Sequence, residues 1–180
     1  MVIKKKVFNV MLCTVVALYC SGATAAGSYD HAVEENGIKM FWKVADDELH
    51  VKVTAETSGW VGVGFNPTEQ MKGANYIVGY VKNGEVVLHD DFGDGKWNHS
   101  EDTALGGTDD FTIVGGHETD GHTTLEFSFP LDSGDDYDGG IDPQGRTVVL
   151  LAYGGKRDSL RAMHRYRTTL TVNLATGRRE

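Results

Sequence analysis

Nucleophilic catalysis needs an activated serine or thiol, and zinc hydrolysis needs histidines at close spacing; this sequence supplies neither arrangement. It has no G-x-S-x-G turn, the strained elbow that exposes a catalytic serine. It has no H-E-x-x-H pair to hold zinc on one face of a helix. Its two cysteines, Cys13 and Cys20, both fall near the N-terminus. His117 and His122 flank an Asp120-Gly121 turn and could face each other across a hairpin, but two imidazoles are an incomplete metal site. Two acidic runs offer oxygen ligands: Asp90, Asp91 and Asp94 before Gly95, and Asp135, Asp136 and Asp138 before Gly139-Gly140. Calcium needs several oxygens converging on one point, and neither run has EF-hand spacing, so solvated turns are the better reading of both. The sequence predicts no catalytic constellation, and hence no enzyme with a turnover of its own.

The segment from Gly59 to Tyr80 is more informative. It begins Gly59-Trp60-Val61-Gly62-Val63-Gly64-Phe65, continues through Met71-Lys72-Gly73-Ala74, and ends Tyr76-Ile77-Val78-Gly79-Tyr80. Glycine at alternate places leaves one face of a strand nearly bare, so that something bulky or another backbone can approach closely. Met71 stands in a polar loop where a thioether has no evident packing role, unless it folds back as core filler.

The elements that must position these residues read as strands. Ile38–Val44, Glu48–Thr54, Gly59–Phe65, Tyr76–Val81, Glu85–His89, Phe111–Val114, Thr123–Phe129, Thr147–Tyr153 and Tyr166–Leu174 have strand-like composition, and no segment shows a convincing helical period. Asp46-Asp47, Asn83-Gly84 and Asp120-Gly121 are the turns, and Asn-Gly is the strongest short hairpin signal. The stretches 90–110 and 132–142 read as acidic loops. About nine strands at these spacings predict an all-β fold, an antiparallel β-sandwich of immunoglobulin-like architecture.

Lys4-Lys5-Lys6, the apolar run from Val7 to about Tyr19 and Ala23-Thr24-Ala25 form the pattern of a cleaved signal peptide over residues 1 to about 25. The apolar run is shorter than the roughly 20 residues a spanning helix needs, and the mature chain, 26–180, contains no comparable stretch. That mature chain is read as one domain without thiols, so it has neither a disulfide nor a thioether-attached cofactor. It carries 14 basic against 26 acidic residues, a poor surface for nucleic acid. The expected location is periplasmic or secreted.

The pattern G-W-V-G-V-G-F, then M-K-G-A, then a strand and hairpin, resembles the DOMON domain family, and the resemblance covers roughly 38–174. It is similar to the cytochrome domain of cellobiose dehydrogenase and to the DOMON modules of cytochrome b561 proteins. In haem-binding members a methionine of this loop and a histidine near the last strand ligate one non-covalent haem b. The resemblance places those roles on Met71 and on His164, the only histidine after His122. If the last strand already runs through His164, the residue shares a face with Tyr166, Leu170 and Val172 and points into the core, while Met163 points away.

The resemblance implies an exported b-type cytochrome that passes single electrons to or from a redox partner, such as a membrane cytochrome or a periplasmic oxidoreductase. Trp60, Phe65 and Tyr76 are expected beside the ring, and Arg161, Arg165 or Arg167 beside its propionates. Other members of the family lack the ligands, so a haem-free module binding carbohydrate or a protein partner is the alternative, with Trp97 as a contact point. A copper carrier is disfavoured by the absence of a mature cysteine.

Overall fold

The structure, a computed structural model, describes residues 28–180; the segment expected to direct export, with Cys13 and Cys20, lies outside them. Eleven strands follow one another with a single helical turn. They are β1 (His31–Glu35), β2 (Ile38–Ala45), β3 (Glu48–Ala55), β4 (Val61–Phe65), β5 (Asn75–Lys82), β6 (Glu85–Gly95), β7 (Asn98–Glu101), α1 (Asp102–Leu105), β8 (Thr112–Thr119), β9 (His122–Pro130), β10 (Thr147–Tyr153) and β11 (Tyr166–Val172). One sheet has the order β1-β2-β3-β9-β8 and the other β11-β10-β4-β5-β6-β7. All pairings are antiparallel. No helix among the described residues is long and apolar enough to cross a membrane.

The turns are where the sequence puts them, for a steric reason. Asn83 and Gly84 hold φ of 54° and 82°, and Asp120 and Gly121 hold 52° and 76°. Positive φ at both central residues matches the right-handed twist of the flanking strands, and these residue types tolerate it at low cost. Between the turns, period-2 alternation buries one face. Leu49, Val51, Val53 and Ala55 of β3 are fully buried, facing Val61, Val63 and Phe65 of β4 and Val149 and Leu151 of β10 within one interior cluster. Trp42 joins them, its Nε1 donating to the Leu174 carbonyl at 2.9 Å. Burying a large apolar side chain stabilises by about 1.5–3 kcal/mol, so this cluster is the main source of cohesion.

All nine expected strands are present, and two were not foreseen. β1 is short and mostly polar, and it exists because β2 offers it an edge: Val33 opposite Met40 is its one buried anchor. The stretch 90–110 is not simply loop. β6 continues through Asp90, Asp91 and Phe92, paired with Ile77, Tyr76 and Asn75 of β5, and then folds back as β7 and α1. A neighbouring strand satisfies the backbone there whatever the side chains are. The β8–β9 register pairs His117 with Thr124 and His122 with Thr119, so the two histidines are not directly opposite each other. The last strand begins only at Tyr166, beyond His164.

Candidate functional site

The middle of the outer face of the six-stranded sheet is apolar. In β4, Val61, Val63 and Phe65 turn inward, so Gly62 and Gly64 turn out. A Cβ at Gly64 would lie 2.3 Å from the Tyr76 ring, and one at Gly62 would lie 2.6 Å from Val78. The absent side chains are therefore what lets Tyr76 and Val78 of β5 lie flat across β4. With Trp60 and Ala74 they form a second apolar cluster, packed by Met71, Leu150, Ala152 and Leu160, separate from the interior.

Two loops stand over this floor. Residues 66–73 carry Met71 on a backbone turned by Gln70 and Gly73, with φ of 57° and 75°. Met71 donates its N–H to the Lys96 carbonyl at 3.3 Å, and Gly73 donates to the Gly93 carbonyl at 2.7 Å. The close approach depends on Gly93, because a Cβ there would lie 1.9 Å from the Met71 carbonyl oxygen. Gly93→Ala must therefore displace the Met71 loop. It is expected to cost about 1–3 kcal/mol, the usual range for overpacking, in a urea titration. It should also weaken whatever the cleft binds, whereas Gly84→Ala, in an exposed turn, should leave binding intact.

The second loop, residues 154–165, carries His164. Trp60 Nε1 donates to the Ala162 carbonyl at 3.0 Å, and the Arg165 N–H donates to the Tyr153 carbonyl at 2.8 Å. Trp97 and His99, from the β6–β7 turn and β7, form a third side. The guanidinium of Arg167 stands 5.9 Å from the Trp97 ring centroid.

Between these walls lies a cavity of about 590 Å³, lined by Trp60, Met71, Tyr76, His99, Met163 and His164 among others. An adjoining space of about 500 Å³ shares Met71, Tyr76, Leu150, Ala152, His164 and Arg167 with it. Partial burial, and next the positive charge of Arg167, hold the His164 imidazole below the usual histidine range. It is accordingly neutral at pH 7, the form that ligates a metal. Burial pushes the Tyr76 phenol up, so its hydroxyl stays protonated.

The structure thus brings Trp60, Met71, Tyr76 and His164 to one cleft. Phe65 is not there: it turns into the interior, 5.3 Å from Phe129 between ring centroids, because it shares the inward phase of Val61 and Val63. Arg165 is exposed and lines no part of the cleft, whereas Arg161 and Arg167 do. His164 does not point into the sandwich. It precedes β11, so the alternation expected of a strand does not apply, and Met163 lines the same cleft despite being 85 % exposed. Trp97, expected only as a contact of a haem-free module, lines the same cleft, and His99, Leu150, Ala152 and Leu160 join it without having been expected there. For Leu150 and Ala152 the sequence carries the signal: Thr147–Tyr153 is apolar on both faces, which means that both faces are covered.

The DOMON domain family profile matches residues 34–154. DBH-like monooxygenase protein 1 of Mus musculus is 33 % identical over 116 residues, covering 61 % of this chain and 18 % of that protein. MOXD1 homolog 2 of Drosophila melanogaster is 28 % identical over 108 residues, covering 59 % of this chain and 14 % of that one. The chain spans less than a quarter of the length of these relatives. Among solved structures, the cytochrome b domain of pyranose dehydrogenase from Coprinopsis cinerea superposes with a TM-score of 0.60 at 17 % identity, covering 78 % of each chain. The cytochrome domain of Myriococcum thermophilum cellobiose dehydrogenase gives 0.58 at 14 % identity, covering 78 % of this chain and 76 % of that one. At such identities the likeness is one of fold, but the profile match spans most of the sandwich and carries the glycine-alternating strand and the Met71 loop: the chain belongs to the DOMON domain family.

Proposed function

We propose that this chain is an exported b-type cytochrome, periplasmic or secreted, which holds one haem b in the outer cleft and exchanges single electrons with a redox partner protein. The observation that carries the reading is the meeting of a thioether, Met71, and a neutral imidazole, His164, in one apolar cleft. The donor set fits the group: sulfur and imidazole are soft and borderline ligands for iron, and neither needs to lose a proton at pH 7. The floor of Tyr76, Val78, Leu150 and Ala152 suits a flat apolar ring, and Arg161 and Arg167 at the mouth suit its two carboxylates. Held by both Met71 and His164, a haem would supply one-electron transfer rather than oxygen binding.

The residues of this chain then have distinct tasks. Trp60 and the Tyr153 carbonyl hold the His164 loop, and the Gly93 contact holds the Met71 loop, which would pre-position both side chains for a bound group. A thioether donor in place of a second imidazole would favour the reduced state of the group and so raise its potential. The formal charge of the whole chain, −9, favours a partner with a basic docking face.

The test is a visible spectrum of the mature protein, oxidised and dithionite-reduced, after expression with ample haem. A sharp Soret band with narrow reduced α and β bands is expected. A colourless protein that takes up no added haemin sinks the cytochrome reading. That result would favour a haem-free module for carbohydrate or a protein partner, a role suited to Trp97, 66 % exposed at the rim of the cleft. Saturable glycan binding would then be the measurement to make.

A further inference from the structure

Beside the cleft, on the interior side of the β5–β6 ladder, three carboxylates from separate parts of the chain converge. Asp90 comes from β6, Asp102 opens α1, and Asp138 comes from the acidic loop between β9 and β10. One oxygen of each lies within 4.8 Å of those of the others. Asp90 is 1 % exposed and Asp102 is 0 % exposed. Among the described residues no lysine or arginine forms an ion pair with any of the three.

The hydrogen bonds of this cluster are incomplete. Asp90 Oδ2 accepts from the Asp110 N–H at 2.9 Å, and Asp138 Oδ2 accepts from Ser133 Oγ at 2.7 Å. Among the described residues, Asp90 Oδ1 and both oxygens of Asp102 have no partner, although each is shut away from water. Asn75, 4 % exposed, adds an independent sign: its amide nitrogen donates to Asp138, so its unpartnered Oδ1 sits beside the same cluster. A buried oxygen left without a donor costs about 1–3 kcal/mol, and more when charged. Burial first, and then the neighbouring carboxylates, push Asp90 up to about 8 and Asp102 up to about 7. Such a cluster calls for positive charge at its centre.

We propose that Asp90, Asp102 and Asp138, with the side-chain oxygen of Asn75, bind a divalent cation of the calcium class. The donors are all hard oxygens, which excludes a preference for soft metals. Calcium, about 2.3–2.6 Å from its oxygens, tolerates irregular shells of about six to eight ligands and suits carboxylates and an amide drawn from separate segments, whereas magnesium demands near-ideal octahedral geometry. The ion would clasp the two acidic loops against the sheet. Those loops already meet through Tyr137, whose hydroxyl donates to the Leu105 carbonyl at 2.8 Å, and through Thr108, whose N–H donates to Asp135 at 2.8 Å. It would also stiffen one wall of the cleft: Asp91, next to Asp90, bonds His99, whose ring lies tilted against that of Tyr76 with centroids 5.4 Å apart.

The protein stripped with EDTA and titrated with calcium chloride in a calorimeter should take up one ion per chain, with or without haem. At calcium about a hundred times the Kd, the melting temperature should rise by roughly 5–10 °C. Asp102→Asn should lose both the uptake and the shift. In EDTA it should melt no lower than the wild type, because it replaces a carboxyl whose ionisation burial and the neighbouring carboxylates oppose, and this separates a lost site from a lost fold. Absence of saturable uptake by the stripped wild type overturns the proposal, as does an Asp102→Asn variant that binds calcium with unchanged affinity. An equal response to magnesium overturns the choice of calcium.

Discussion

His164→Ala is expected to abolish the low-spin spectrum, and Met71→Ala to keep haem while lowering the midpoint potential. The imidazole is the stronger of the two donors. Since outer partners of a metal ligand alone are worth about 10–100-fold in affinity, loss of the ligand itself should weaken haem binding by more than that. Loss of the thioether leaves a site for water or another base and removes the ligand that favours the ferrous state. A fall on the order of 100 mV is expected, a fraction of the roughly 0.8 V that axial ligands span. Met163→Leu is the necessary companion, because Met163 lines the same cleft one residue before His164. Its spectrum and potential should match the wild type. A potential that falls in Met163→Leu and stays put in Met71→Ala would assign the sulfur to Met163 instead.

Trp60→Ala should have the largest effect on stability among the cleft residues. Trp60 is 7 % exposed, lies against Gly154 so closely that a Cβ there would come within 2.3 Å of Nε1, and ties down the loop that carries His164. Truncating a buried tryptophan costs about 3–5 kcal/mol. For a domain of this size that corresponds to a drop of roughly 10 °C in melting temperature. Haem affinity should fall with it, since the loop loses its anchor. Trp60→Phe separates the two contributions. It retains most of the apolar contact and loses the Nε1 hydrogen bond, a change of about 1 kcal/mol by denaturant titration. If Trp60→Ala melted like the wild type, the indole would be no anchor, and the placement of His164 would need another cause.

The two axial candidates differ in how they could be read. The Met71 loop is short, bounded by Asn66 and Gly73, and flanked by the strand whose glycines make the outer floor, so its chemistry stands within one contiguous motif. His164 is different. Whether it lies in a strand or before one depends on where β11 begins to pair, and that is decided by Tyr166 facing Tyr153 across the ladder and by the Arg165 N–H reaching the Tyr153 carbonyl. Extending the strand two residues too far turns the imidazole from the cleft to the core. Phe65 illustrates the converse. Its inward phase follows from Val61 and Val63, but which face of β4 meets the cleft is known only once the second sheet is in place.

Local chemistry determined nine of the strands and the turns between them, while β1 and β7 depend on the edges that neighbouring strands offer. Period-2 burial, Asn-Gly and Asp-Gly pairs able to hold positive φ, and glycine alternating with valine all act within a few residues, so they are written in the sequence itself. Tertiary packing alone decided which face of the glycine strand became the cleft, where the last strand starts, and that Asp90, Asp102 and Asp138 share one buried point. Each of those depends on contacts between distant segments. A run of aspartates reads as a solvated loop until the fold removes the water from around it.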